Sequence, residues 1–115
     1  MDYLASAMAH LALEEVRALF LTAGNRLVCD EIVACGGGSE VRLAHRRVIA
    51  RALELGADGL ILVHNHPSGD PTPSMADLRA TRSLEATCRR LDIRLHDHLV
   101  VASGGFRSLR RMGEL

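Results

Sequence analysis

The spacing of apolar and polar positions divides this chain into segments of two kinds. Residues 16–21 and 26–34 are apolar enough to predict strands, and the turn-forming residues 22–25 between them predict a hairpin. Residues 59–66 begin with a continuous apolar run, which is typical of a buried strand, and residues 93–102 predict another strand. These segments together predict the strands of one sheet.

Helical spacing appears between the predicted strands. Residues 3–12 predict a short helix, and residues 43–55 predict a longer helix that ends at Gly56. Residues 74–91 predict the second main helix. Its expected buried stripe consists of Leu78, Thr81, Leu84, Cys88 and Leu91. The glycines at positions 36–38 should interrupt regular structure before the first main helix.

Together these elements predict an α/β fold, in which helices flank a mixed β-sheet. Residues 103–105 should turn the chain into a short final strand or helix. With 115 residues, the chain is long enough for a single domain, residues 1–115, with one modest core. Aromatic residues make up only 3% of the chain, so Leu, Ile, Val and Ala must fill that core.

The charge balance and the cysteine content limit the classes of function that this chain can have. The 14 basic residues balance 14 acidic ones, which removes any overall attraction to nucleic acid or to a membrane surface. All basic residues are Arg, which excludes lysine-dependent chemistry such as a Schiff base. Cys29, Cys35 and Cys88 lack C-x-x-C spacing, and we expect buried free thiols in a reducing cytoplasm. No apolar run is long enough to predict a membrane span.

The densest chemistry follows the apolar run at 59–63. Side chains alternate along a strand, so His64 and His66 should point the same way, with Cα atoms about 6.5–7 Å apart. That separation lets two imidazoles share one metal ion. A proline-rich turn leads to Ser74 and a helix start, where Asp77 can supply a third ligand. Two histidines and one carboxylate leave a fourth position for water, as in hydrolytic zinc sites.

Simpler interpretations of the same residues exist. An H-x-H pair often marks an ordinary strand end. Ser74 and Asp77 also fit a helix capping box, in which they only satisfy backbone N–H groups. However, the strand end, the turn and the helix start converge in space. This convergence makes the combined pattern more specific than its parts and favours the metal site.

A hydrolytic zinc site also needs a general base, and the local pattern from His64 to Asp77 does not contain one. The candidates elsewhere in the chain are Glu14, Glu15 and Glu31. Glu14 and Glu15 stand at the entry to the first predicted strand, and either could equally be a solvated residue at a strand end. The residues alone leave the choice among the three open.

The full spacing resembles a known motif. His64-x-His66, seven residues, Ser74, two residues and Asp77 match the JAMM motif of MPN-type metalloproteases. The string from 64 to 77 is similar to the RadC branch of that family, the bacterial proteins named for DNA repair, and the resemblance extends over residues 10–113. It implies a JAMM/MPN domain of cytidine-deaminase-like fold. RadC proteins also carry an N-terminal helix-hairpin-helix half, which we expect to be absent here.

The resemblance implies a role for each site residue. The Zn²⁺ ligands would be His64, His66 and Asp77. Ser74 would support the polarised water or the tetrahedral intermediate, and Glu14 would activate the water. Because a strand alternates, we expect Glu14 to face the metal, with the parity of Val16, and Glu15 to face away. The implied reaction is hydrolysis of a peptide or isopeptide bond in a peptide or protein substrate.

Two other functions fit parts of the sequence. The RadC resemblance suggests a nucleic-acid-associated repair module, but the Arg residues are scattered and no aromatic stacking platform is present. We therefore expect weak or no DNA binding by this domain, through phosphate contacts that weaken with salt. The other alternative is a non-catalytic scaffold that binds zinc. His98 could be a partner of the ligands, but a buried histidine with its hydrogen bonds satisfied is the favoured interpretation.

Overall fold

The computed structural model describes Met8, residues 13–35 and residues 40–115, with the backbone alone over residues 40–44. The strands are β1 Glu15–Leu21, β2 Leu27–Cys35, β3 Gly59–Asn65, β4 Arg94–Ala102 and β5 Gly105–Ser108. The two long helices in the described ranges are α1 Glu40–Leu55 and α2 Met75–Arg90. The strands form one sheet in the order β2-β1-β3-β4-β5. β3 is antiparallel to β1 and parallel to β4, which confirms the mixed α/β sheet.

The predicted hairpin is present at one edge of the sheet. β1 and β2 pair in antiparallel fashion from Glu15↔Cys35 to Leu21↔Leu27. The turn closes with a hydrogen bond from the Thr22 N–H to the Arg26 carbonyl at 2.9 Å. Its Asn25 adopts a φ of 62°, a left-handed conformation that Asn tolerates better than most residues. The strand bounds differ from the predicted ones by a residue.

The main core lies between one face of the sheet and the two helices. Alternate side chains of β1 and β3 face the helices, and buried stripes of α1 and α2 cover them. The buried members include Val16, Ala18, Phe20, Val48, Ala52, Leu60, Leu62, Leu84 and Cys88. A smaller cluster comprises Met8, Leu19, Val63 and Val101. His64 has the parity of Leu60 and Leu62 and is therefore on the helix-covered face.

The end of α2 corrects the predicted stripe. Thr81, Leu84 and Cys88 are buried and Leu78 is partly buried, but Leu91 is 40% exposed. Leu91 is the C-cap, and the next residue, Asp92, turns into the left-handed region with φ 56°. The Ile93 N–H then bonds the Cys88 carbonyl at 2.9 Å, as in a Schellman motif, and Ile93 is buried where Leu91 was expected.

The cysteines also differ from expectation in burial. All three are free thiols, but Cys35 is exposed and Cys29 is only partly buried. Cys35 is exposed because it ends β2, which is an edge strand. Cys88 is buried as predicted, and burial raises the pKa of its thiol to about 11.

Two expectations concern segments outside the described residues. The predicted helix at 3–12 lies there except for Met8, which is helical, and so does the predicted break at 36–38. Neither α1 nor α2 is long and apolar enough to cross a bilayer, and no other helix among the described residues is.

A pair of leucines tests this core. Leu60 is fully buried in β3, whereas Leu53 on α1 is 56% exposed. Leu60→Ala should lower the free energy of unfolding by about 2–5 kcal/mol, because it removes buried methyl groups and leaves a cavity. Leu53→Ala should change it by less than about 0.5 kcal/mol. Urea unfolding of the two variants measures both values, and similar losses would contradict the assigned core.

Candidate metal centre

The pairing of β1 with β3 builds one side of the candidate site. The register places Val16 opposite His64, so the residues that precede β1 lie beside the carboxyl end of β3. The Glu14 carboxylate there contacts the Nε2 atom of His64, although the two residues are 50 positions apart in the chain. The structure thus brings Glu14 to the predicted histidines.

The start of α2 builds the other side. Ser74 is the N-cap, and its Oγ accepts a hydrogen bond from the Asp77 N–H at 3.0 Å. Asp77 Oδ2 in turn accepts from the Ser74 N–H at 2.8 Å, which completes a capping box. The same Oδ2 lies 3.2 Å from His66 Nε2, and Oδ1 lies 3.5 Å from His64 Nδ1. Asp77 therefore caps the helix and also contacts both histidines.

The two imidazoles stand edge to face. Their ring centroids are 4.9 Å apart with an interplanar angle of 85°. Donor atoms of Glu14, His64 and His66 all lie within 4.8 Å of one another, so these three side chains could hold one metal ion. Asp77 is adjacent to both imidazoles of this set but does not belong to it. The geometric set therefore overlaps with the predicted ligands without being identical to them.

The carboxyl group of Asp77 is in the ionised form that a metal ligand needs. Burial raises the pKa of its carboxyl, but hydrogen bonds from Ser74 and the nearby histidines oppose this effect. The opposing interactions prevail, and the pKa of Asp77 is lowered from its ordinary value of 3.8. The carboxylate therefore remains ionised at neutral pH, as a metal ligand must be.

His98 on β4 lies directly beneath the site. Its ring stacks on His64 with centroids 5.8 Å apart, and its Nδ1 lies 2.6 Å from Thr81 Oγ1. Because the Thr81 hydroxyl donates to the Asp77 carbonyl at 2.7 Å, Nδ1 of His98 must be the donor to Thr81. Complete burial lowers the pKa of His98 to about 3. His98 is thus a buried neutral histidine, but its Nε2 has no hydrogen-bond partner among the described residues and its ring contacts His64, so it is not the fully satisfied histidine that was expected.

The other predicted residues are placed as follows. Ser74 is exposed at the rim of the site. Glu31 pairs with Arg51, with Oε1 3.0 Å from Nε, and so has a partner of its own. The backbone N–H of Glu15 donates to the side chain of Asn65. Sequence reasoning missed Asn65, although a polar residue between two histidines at a strand end is a signal for such a contact.

Comparisons with known proteins point to one family. The family model for the RadC-like JAB domain matches residues 1–114. A protein from Rhodobacter capsulatus, named UPF0758 protein, is 49% identical over all 115 residues. The chain covers 54% of that relative, so it spans about half the length of the curated protein it matches.

The burial of His98 predicts a pH dependence of stability. The pKa of His98 falls from an ordinary 6.5 to about 3 in the folded chain, so protonation favours the unfolded state. The stability that the folded chain has with His98 neutral is complete above the unfolded pKa of 6.5, and it is lost as the pH falls from 6.5 towards 3. In metal-free protein, wild type should lose about 1.4 kcal/mol per pH unit relative to His98→Gln across this window. Urea unfolding at several pH values measures this slope, and parallel profiles would contradict it.

Proposed function

We propose, since this chain belongs to the RadC-like JAB domain family, that it is a zinc-dependent hydrolase of peptide or isopeptide bonds. The observation that carries this proposal is the convergence of Glu14, His64 and His66 within reach of one ion. Asp77 lies against both imidazoles and supplies a further carboxylate.

The donor set fits zinc. Imidazole nitrogen and carboxylate oxygen are the donors of catalytic zinc sites with an open position. His64 Nδ1 is buried without a hydrogen-bond partner among the described residues, so the ring is not fully satisfied by the protein. We assign His64, His66 and Asp77 as the ligands. Zinc, when bound, supplies Lewis acidity, which lowers the pKa of water towards about 7 and polarises a carbonyl oxygen.

We assign Glu14 as the general base. Its side chain is 28% exposed, whereas His64 is 1% exposed, so Glu14 is accessible to both water and substrate. The carboxylate takes a proton from the attacking water as the new C–O bond forms. It then passes this proton to the leaving amine as the C–N bond breaks. The same group therefore serves both proton transfers of amide hydrolysis.

Ser74 can stabilise the oxyanion. Its oxygen already accepts a hydrogen bond from the Asp77 N–H, which leaves its own proton free to donate. The side chain is exposed at the helix start, next to the Asp77 carboxylate. A hydroxyl donor at this position favours the tetrahedral intermediate over the ground-state carbonyl.

Zinc content tests the ligand assignment. Wild-type protein should bind one zinc ion, and the double variant His64→Ala/His66→Ala should bind it at least about 100-fold more weakly. His96→Ala is the matched control, because His96 lies against Gly59 at the other end of β3. Competition with a chromophoric chelator gives the affinities. Stoichiometric zinc in the double variant would contradict the assignment.

A pair of glutamates tests the reaction. Glu14→Gln should keep zinc and lower hydrolysis by about 10²–10⁴-fold, because an amide cannot accept the proton. Glu15→Gln is the matched control and should retain activity. The assay is cleavage of a peptide library and of isopeptide-linked peptides, with and without chelator. Zinc-loaded wild type that cleaves neither would support the non-catalytic scaffold instead.

A further inference from the structure

Asn65 occupies the position between the two histidines and is 1% exposed. Its carboxamide makes two hydrogen bonds to the backbone that leads into β1. The Oδ1 atom accepts from the Glu15 N–H, and Nδ2 donates to the Leu13 carbonyl at 2.9 Å. Both partners are neighbours of Glu14 in the chain, one on each side. Asn65 therefore holds the backbone on both sides of Glu14, the residue that contacts His64.

The two hydrogen bonds of Asn65 take the place of β1–β3 backbone pairing beyond the end of the ladder. The β1–β3 ladder begins at Val16↔His64, and Glu14 itself precedes the strand. After Asn65 the chain remains hydrogen-bonded to β4 on the other side, where the His66 N–H bonds the Val101 carbonyl at 2.8 Å. A carboxamide carries the same donor and acceptor as a peptide group, so Asn65 extends the pairing that the β3 backbone no longer provides.

This extension matters because a segment outside the strand ladder has fewer backbone hydrogen bonds to hold it in place. Fixing the groups on both sides of Glu14 limits the backbone angles that aim its carboxylate. An apolar residue of similar size would leave the Leu13 carbonyl and the Glu15 N–H without these partners. Asn65 is buried, and its two hydrogen bonds fix the backbone on either side of Glu14.

We propose that Asn65 is a positioning residue that holds the Glu14 carboxylate at the metal centre. This inference rests on the proposed hydrolysis only for its kinetic consequence. Asn65 contacts neither the substrate nor the ion in this assignment, and its effect passes through Glu14. Its loss should therefore impair proton transfer without removing zinc.

Two substitutions of Asn65 separate its bonds. Asn65→Ala removes both hydrogen bonds. Asn65→Asp keeps an acceptor for the Glu15 N–H, but an ionised carboxylate cannot donate to the Leu13 carbonyl, and its equal size leaves no cavity. The matched control is Ser108→Ala. Ser108 ends β5 and is also buried, and its hydroxyl accepts a hydrogen bond from the Arg111 backbone N–H at 3.1 Å.

A spectroscopic measurement tests the positioning directly. In ¹³C-labelled protein titrated with zinc, the side-chain carboxyl resonance of Glu14, identified by its loss in Glu14→Gln, should shift in wild type. This zinc-induced shift should be about half the wild-type shift or less in Asn65→Ala and smaller than the wild-type shift in Asn65→Asp. In Ser108→Ala it should equal the wild-type shift. Zinc affinity should stay within about tenfold in all three. A wild-type shift in both Asn65 variants, or loss of zinc from both, would overturn the proposal. If Asn65→Ala does not fold, Asn65→Asp decides.

Kinetics supply the second measurement. Asn65→Ala should lower kcat on the order of 100-fold with KM little changed. In a Glu14→Gln background the same substitution should change the residual rate by less than about twofold, since the group it positions is already gone. Equal losses in both backgrounds would show a general structural effect and overturn the proposal. If wild type hydrolyses nothing, the proposed function fails, and the carboxyl shift still decides the role of Asn65.

Discussion

The antiparallel register of β1 on β3 is the constraint on which the candidate centre depends. Val16 pairs with His64, and this single match brings Glu14 to an imidazole from which it is 50 residues distant. A slip by one residue would turn every side chain of β1 to the other face. The register is well fixed because Ala18 and Phe20 are fully buried on the face that Glu14 shares. The hydrophobic core therefore determines the position of the carboxylate.

The second contribution comes from the capping box of α2. A cap and a ligand are often treated as competing interpretations of one carboxylate, but Asp77 serves as a cap here and its carboxylate also contacts both histidines of the candidate site. Two hydrogen bonds with Ser74 fix its orientation, while Oδ2 remains 3.2 Å from His66. Such a cap is worth about 1 kcal/mol to the fold. It also orders the carboxylate, so less freedom would be lost if Asp77 bound an ion as proposed.

Local patterns predicted most of the fold, and they predicted that two histidines and Asp77 lie together. Strand and helix periods gave the mixed sheet, and His64, His66 and Asp77 follow from strand alternation and helix-start chemistry. Glu14 needed the family resemblance, because local pattern could not choose among three glutamates. The misses have a common cause. Leu91 depends on where α2 ends, and Asn65 depends on its bonds to the backbone before and at the start of β1, and periodicity fixes neither.

Burial varies across the centre in a way that suits its proposed chemistry. His64 and Asp77 have 1% and 5% exposed side chains, whereas His66 and Glu14 have 16% and 28%. A positively charged group on the buried side would repel a cation strongly, because little water screens it. His98 occupies that side as a neutral ring, since its burial opposes protonation and Thr81 fixes its tautomer. A neutral ring on the buried side would therefore not repel a cation, and the more exposed side carries Glu14 and His66.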